Sequence, residues 1–139
     1  MAPVPPRFLR EVLLRTAVVP EVAARLPASK TAVAIRLTDD AEMANLNRTY
    51  ADKPNATDVL SFTGVGDHLG DIAISWAATQ RQAARYKQEP KTELALLSVH
   101  GFLHLLGWDH AVARERKEMN RLTVEALRRS RITLAPRRL

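Results

Sequence analysis

The pattern of apolar and polar positions over residues 1–50 predicts helices at both ends of this segment and a strand between them. Apolar residues at positions 9, 12 and 13 have helical spacing, and Pro20 limits this first helix, with a further helical turn expected over 21–26. The segment 31–38 alternates β-branched residues with other side chains and predicts a strand. Asp39 and Asp40 can then cap a helix that extends to position 50.

The middle of the chain predicts a strand pair followed by a helix. Two compact apolar runs, 58–62 and 69–74, are separated by a glycine-containing loop, which is typical of paired strands. Ser75 is a candidate N-cap for a helix rich in Ala, Gln and Arg that continues to about Lys87.

The most apolar segment of the chain follows. Pro90 can begin a helix there, with Thr92 as its cap, and residues 94–106 are apolar on nearly every side, which predicts a buried central helix. Gly107 can end this helix in a left-handed turn. A last amphipathic helix is expected over 112–129, and its predicted buried residues are Met119, Leu122, Ala126 and Leu127.

These elements add up to an α+β fold, with a small mixed sheet, helices packed on it and a buried central helix. The chain has 139 residues, of which 46% are hydrophobic and 26% charged, as in ordinary globular proteins. Because no repeat or low-complexity linker interrupts the pattern, we expect a single domain over 1–139. Its basic tail, at about 130–139, is either a solvated terminus or an RNA contact.

Charge and cysteine content narrow the classes of function. The net charge is +6, with 21 basic against 15 acidic residues, which suits a nucleic acid partner but is also common among small proteins. The absence of cysteine excludes disulfides and thiolate metal sites. We recognise no signal peptide and no membrane-length apolar run, and we expect a cytoplasmic protein.

Three of the four histidines fall within eleven residues, at His100, His104 and His110. On the predicted central helix, His100 and His104 lie one turn apart on the same face. Gly107 allows the chain to turn and bring His110 back to them. This set predicts a metal site with three neutral nitrogen ligands and one Zn²⁺ per chain, whereas His68 is expected at the surface.

Three protein ligands leave one tetrahedral position open, which is typical of catalytic rather than structural zinc. A water molecule in that position has its pKa lowered towards about 7 and can attack, while the metal charge stabilises a phosphorane-like state. We identify no side-chain general base. Imidazole also suits nickel, copper and iron, so the identity of the metal is open.

The histidine spacing is shared with zinc proteases of the type H-E-x-x-H-x-x-G-x-x-H. Those enzymes use the Glu in the second position as their general base. This chain has Gly101 there, which cannot accept a proton. Peptide hydrolysis is therefore disfavoured, whereas cleavage of a better leaving group, or of RNA that supplies its own 2′-hydroxyl, stays open.

The segment HGFLHLLGWDH at 100–110 resembles the signature of the YbeY family, H-G-x-L-H-L-x-G-[YW]-D-H. Further stretches are similar to that family, namely TDVLSF at 57–62, LGDIAI at 69–74 and LNRTY at 46–50. The resemblance covers about residues 31–128.

The resemblance implies a minimal metzincin-like zinc hydrolase architecture in which His100, His104 and His110 bind the metal. It also implies a single-strand-specific endoribonuclease that acts in maturation of the 3′ end of small-subunit (16S) rRNA and in ribosome quality control. The implied partners are single-stranded RNA, rRNA and the small ribosomal subunit, with no membrane and no nucleotide cofactor.

One position departs from the family pattern. The family usually has Arg directly after Leu-Asn-x-x-Tyr, and this chain has Ala51. Arg48 and Lys53 are the nearby candidates for RNA binding. Trp108 is expected to pack in the core rather than stack on a base, and Asp109 either makes turn hydrogen bonds or accepts from a ligand imidazole.

Two other functions stay open beside the zinc nuclease. The protein could be an RNA- or ribosome-binding assembly factor whose zinc is mainly structural and whose catalysis is weak or absent, a hypothesis that Ala51 favours. It could also be a metal hydrolase of a small amide or ester, which Gly101 disfavours. Replacing the three histidines separates the nuclease from the assembly factor, because only RNA affinity survives.

Overall fold

In a computed structural model, described for residues 4–27, 32–50, 58–109 and 111–139, six helices surround a three-stranded sheet. The helices are α1 (Pro6–Ala17), α2 (Pro20–Ala23), α3 (Asp40–Tyr50), α4 (Trp76–Tyr86), α5 (Pro90–Leu105) and α6 (Ala113–Arg129). The strands are β1 (Ala32–Thr38), β2 (Val59–Thr63) and β3 (His68–Ser75). This architecture confirms the predicted α+β class.

The central strand of the sheet is β3, in the order β1-β3-β2. It runs parallel to β1, where Ile35 is the partner of Ile72, and antiparallel to β2, where Ser61 is the partner of the same residue. The sheet is therefore mixed, as predicted. Ile72 and Ile74 have no exposed surface, because β3 is covered by the helices as well as flanked by both other strands.

The buried central helix is α5, of whose 16 residues ten are buried. It contacts α1, α4 and α6 as well as β2 and β3, which confirms the prediction for residues 94–106. The helix begins at Pro90, but its N-cap residue is Glu89, so the prediction of Thr92 as the cap is wrong. Proline needs no hydrogen-bond partner for its nitrogen and starts the helix without a side-chain cap. None of the described helices is long and apolar enough to cross a membrane.

Two predicted N-caps are present. The Asp39 carboxylate accepts a hydrogen bond from the backbone N–H of Glu42 at 2.8 Å, and the Ser75 hydroxyl accepts one from the N–H of Ala78 at 3.0 Å. Each bond satisfies one of the N–H groups that the first turn of a helix leaves without a partner. The starts of α3 and α4 are thus set by local chemistry.

The C-terminal tail packs against the helices, which corrects the expectation of a solvated terminus at about 130–139. Ile132 and Leu134 pack against the core. Arg138 donates two hydrogen bonds to the fully buried carboxylate of Glu93 in α5, at 2.9 and 2.6 Å. Gln88 also donates to Glu93, at 2.9 Å, and accepts from the tail backbone at 2.8 Å. The tail is a structural element because a buried carboxylate needs these partners.

Lys87 ends α4 in the left-handed region, with φ 57° and ψ 47°. The N–H groups of Lys87 and Gln88 bond back to the carbonyls of Ala84 and Ala83, as in a Schellman motif. Replacing Lys87 by Gly should therefore raise the free energy of unfolding by about 1 kcal/mol, because a side chain costs roughly 1–2 kcal/mol there. Urea unfolding measures this. Arg85→Gly, in the right-handed last turn, should lower it by about 1 kcal/mol, and a loss in both variants would contradict the left-handed ending.

Candidate metal centre

Two of the three predicted ligands lie together on α5. His100 and His104 are one turn apart on one helix face, about 6 Å along the axis, and both are half-buried. His110 lies outside the described residues. Within the described part of the chain, no three His, Asp or Glu side chains cluster closely enough to hold a metal ion. The three-histidine site therefore stays a prediction.

Gly101, between the two histidines, faces the sheet. A Cβ atom on Gly101 would lie 2.6 Å from Cγ2 of Ile72 and 3.2 Å from Oγ of Ser61. The Ser61 hydroxyl also donates a hydrogen bond to the carbonyl of Gly101 at 2.9 Å. A Glu side chain would require the buried Ile72 to move, so packing as well as sequence argues against the protease mechanism.

A second glycine, Gly70 of β3, allows close packing between the sheet and the C-terminal end of α5. A Cβ atom on Gly70 of β3 would lie 2.5 Å from Cδ2 of Leu105, which directly follows His104. Because both glycines lack side chains, α5 lies closer to the sheet than two ordinary residues would allow. The helix that carries the two imidazoles is therefore packed closely against the sheet.

The helix ends directly after the second histidine in the predicted left-handed turn. Gly107 has a φ of +101°, where glycine is strongly favoured. Its N–H donates to the carbonyl of His104 at 3.0 Å, and the N–H of Trp108 donates to the carbonyl of Leu103 at 3.2 Å. These are the two hydrogen bonds of a Schellman motif. The chain is thereby turned away from the helix axis just before the third histidine of the motif.

The next two residues are held by their side chains. Trp108 is only 1% exposed, and its indole N–H donates to Oε1 of Glu118 at 3.1 Å, which confirms its predicted role in packing. Oδ1 of Asp109 accepts from the backbone N–H of Ala111 at 2.9 Å. Asp109 thus makes a turn hydrogen bond, one of its two predicted roles. The helical spacing of α6 predicts its buried face but gives no sign that Glu118 meets the indole.

The predicted RNA-binding residues are placed only in part. Arg48 is exposed in the last turn of α3, whereas Lys53 lies outside the described residues. Three exposed basic residues at the start of α6, Arg114, Arg116 and Lys117, were not predicted as candidates. Their position directly after the histidine motif is the signal that could have identified them.

An apolar groove of about 670 Å³ lies elsewhere, between α1 and β1. Its lining includes Leu13, Ile35 and Phe102, but neither His100 nor His104. Phe102 is two residues after His100, which is about 200° around the helix. The groove is therefore on the opposite side of α5 from the histidine pair and is not part of the candidate metal centre.

Fold and histidine pair together define a small α+β protein with a candidate metal centre on its central helix. Residues 9–131 match the family model described as Endoribonuclease YbeY, and the chain belongs to the YbeY family.

Curated relatives carry the same name, Endoribonuclease YbeY. The relative from Cyanothece sp. is 44% identical over 97 residues, with 60% of this chain and 57% of that protein covered. The relative from Roseiflexus sp. is 40% identical over 121 residues, with 77% and 76% covered. The chain therefore spans little more than half the length of the Cyanothece relative. It likewise covers 56% of the relative from Roseiflexus castenholzii.

A solved structure supports the fold. The solution structure of TM1509 from Thermotoga maritima aligns with a TM-score of 0.60, over 90% of this chain and 85% of that one. The two sequences are 21% identical, so this likeness concerns the arrangement of helices and strands alone.

Proposed function

We propose that this protein is a zinc-dependent endoribonuclease that cleaves single-stranded RNA. Its proposed role is maturation of the 3′ end of 16S rRNA and ribosome quality control at the small subunit, in the cytoplasm. One observation carries the proposal: the family match over 9–131 includes α5, whose His100 and His104 lie on one face. The match covers 9–131, and it therefore extends far beyond the histidine motif at 100–110.

The proposed ligands are His100, His104 and His110, each through a ring nitrogen. Two nitrogen donors one turn apart on a closely packed helix fit a transition metal, because a rigid element then supplies two of the four tetrahedral positions. When bound, zinc would supply positive charge beside the scissile phosphate and lower the pKa of a coordinated water towards about 7.

The chain's own residues would bind and orient the RNA. Gly101 packs against the sheet, so this turn of α5 offers no carboxylate to act as a base. A 2′-hydroxyl of the RNA therefore stands beside water as a candidate nucleophile. Phosphate binding is assigned to basic residues. Arg48, Arg114 and Arg116 are exposed in the structure, and Lys53 is included from the sequence alone.

The alternative function is a zinc-containing RNA- or ribosome-binding assembly factor with little or no catalysis. Ala51 favours it, because the family usually has an arginine at that position. The basic side chains would then bind RNA as before, while the metal would only stabilise the fold.

Metal removal tests the proposal. The purified protein should contain one zinc ion per chain by elemental analysis. It should cleave a single-stranded fragment of the 16S rRNA 3′ end, lose this activity after chelation and regain it when zinc is returned. The same fragment annealed to its complement is the matched control and should stay intact.

The three outcomes differ. Cleavage that follows the zinc content supports the nuclease. If the metal-free protein cleaves the fragment at the same rate as the zinc-loaded protein and still binds RNA, the result would contradict the zinc-dependent nuclease and support the assembly factor. A protein that contains no metal and binds none would contradict both.

A further inference from the structure

We propose that Arg25 is a positioning residue for the candidate metal centre, because it clamps the turn between the second and third ligands. This inference rests on the proposed function, since it concerns the affinity of the same site for zinc. Arg25 directly follows Ala24, the C-cap residue of α2, and belongs to no part of the histidine motif.

One guanidinium covers three consecutive residues of the turn. The guanidinium carbon of Arg25 lies 3.6 Å from the centroid of the Trp108 ring. Its Nη1 is 3.4 Å from the carbonyl oxygen of Leu106 and would be 3.6 Å from a Cβ atom on Gly107. Arg25 reaches this turn from far away in sequence, since it lies 81 residues before Leu106.

The indole is held from both sides. Glu118 of α6 accepts its N–H at 3.1 Å, while Arg25 lies over its ring face. Trp108 is 1% exposed although Arg25 itself is exposed, so the guanidinium separates the ring from water. A planar, delocalised cation is suited to this stacking, and a lysine ammonium is not.

Fixing Trp108 fixes the direction in which the chain leaves α5. His104 is three residues before Gly107, on the rigid helix, and His110 is two residues after Trp108. When the turn already has a single conformation, less conformational entropy is lost as the third ligand is brought to the other two. Groups that hydrogen-bond directly to metal ligands affect zinc affinity by roughly 10–100-fold. Arg25 acts through the turn, and we therefore expect an effect at the lower end of that range.

The test uses a Trp76→Phe background, in which Trp108 is the remaining tryptophan. Zinc affinity of Arg25→Ala, measured by competition with a chelating dye, should be about tenfold weaker. Arg25→Lys should lie between the alanine variant and the parent, because it keeps the charge but not the planar stack. Arg7→Ala, an exposed arginine of α1, is the matched control and should bind zinc as the parent does.

A second readout is independent of metal and of activity. In the metal-free protein, Arg25→Ala should shift Trp108 emission to the red and raise its quenching by acrylamide, while circular dichroism shows the fold unchanged. Equal zinc affinity in Arg25→Ala and the parent would overturn the inference, even with altered emission, because Arg25 would then only cover the indole.

The proposed function can fail separately. A parent protein that binds zinc but cleaves no RNA would contradict the nuclease and leave the role of Arg25 intact. A parent protein that binds no zinc would overturn both.

Discussion

His104→Ala is expected to remove bound zinc and abolish RNA cleavage. The imidazole of His104 is one of the two nitrogen donors that α5 presents on one face. Zinc affinity should fall by more than about 100-fold, because even an outer partner of a ligand is worth roughly 10–100-fold. Zinc content by elemental analysis and cleavage of a single-stranded 16S 3′-end fragment are the two measurements.

His68→Ala is the matched control. His68 lies in β3, with Nε2 3.0 Å from Oδ1 of Asp71, and its side chain is 38% exposed, at the surface as predicted. This variant should keep its zinc and its activity. Zinc retained in His104→Ala would contradict the ligand assignment. Zinc lost with cleavage unchanged would instead contradict a catalytic metal and favour the assembly factor.

Features that depend on neighbouring residues were predictable from the sequence. The caps at Asp39 and Ser75 and the turn at Gly107 each involve groups within a few positions of one another. The burial of α5 follows from apolar residues around its whole circumference, which leaves no polar face for water. The same locality made the histidine pair visible, since helical spacing alone brings two side chains together.

Element boundaries were less predictable. The helical turn expected over 21–26 is α2, which begins at Pro20 and ends at Ala23. Proline was interpreted there as a limit to the preceding helix, but it also favours the first position of the next one. Thr92 was taken as a cap on side-chain type, although Pro90 already determines the start of α5.

Contacts between distant segments were not predictable at all. Arg25 and Leu106 are 81 residues apart, and Arg138 and Glu93 are 45 apart. An arginine near a chain end has the same local pattern whether it is solvated or bound to a buried carboxylate. The difference arises only when tertiary packing removes Glu93 from water and makes a charged partner necessary.

Arg138→Ala is expected to lower the free energy of unfolding by about 3–5 kcal/mol, because removing one partner of a buried ion pair leaves a buried charge uncompensated. Glu93 has no exposed surface and the Arg138 side chain is 12% exposed. The hydrogen bonds to Glu93 raise the pKa of the Arg138 guanidinium above its ordinary value. Urea unfolding followed by circular dichroism measures the loss.

The neighbouring arginine provides the control. Arg137 is exposed, and Arg137→Ala should change the free energy of unfolding by no more than about 0.5 kcal/mol. Adding Glu93→Leu to Arg138→Ala should recover part of the loss, since an apolar pair replaces the buried charge. Equal stability of the Arg137 and Arg138 variants would show that the tail does not dock on α5 in solution.

Docking of the tail also limits what its arginines can do for RNA. Arg138 is bound to Glu93, and the two arginines at the end of α6 pair with Glu125. Exposed positive charge in the tail therefore lies at Arg131 and Arg137. The RNA affinity of the Arg138→Ala variant should equal that of the parent, although the variant is less stable. The affinity is measured under conditions in which urea unfolding shows that the variant is fully folded. A large loss of RNA affinity while the variant is fully folded would instead show that Arg138 contacts RNA. A residue that only stabilises the packing of the tail on α5 changes the folding equilibrium and leaves the RNA affinity of the folded protein unchanged.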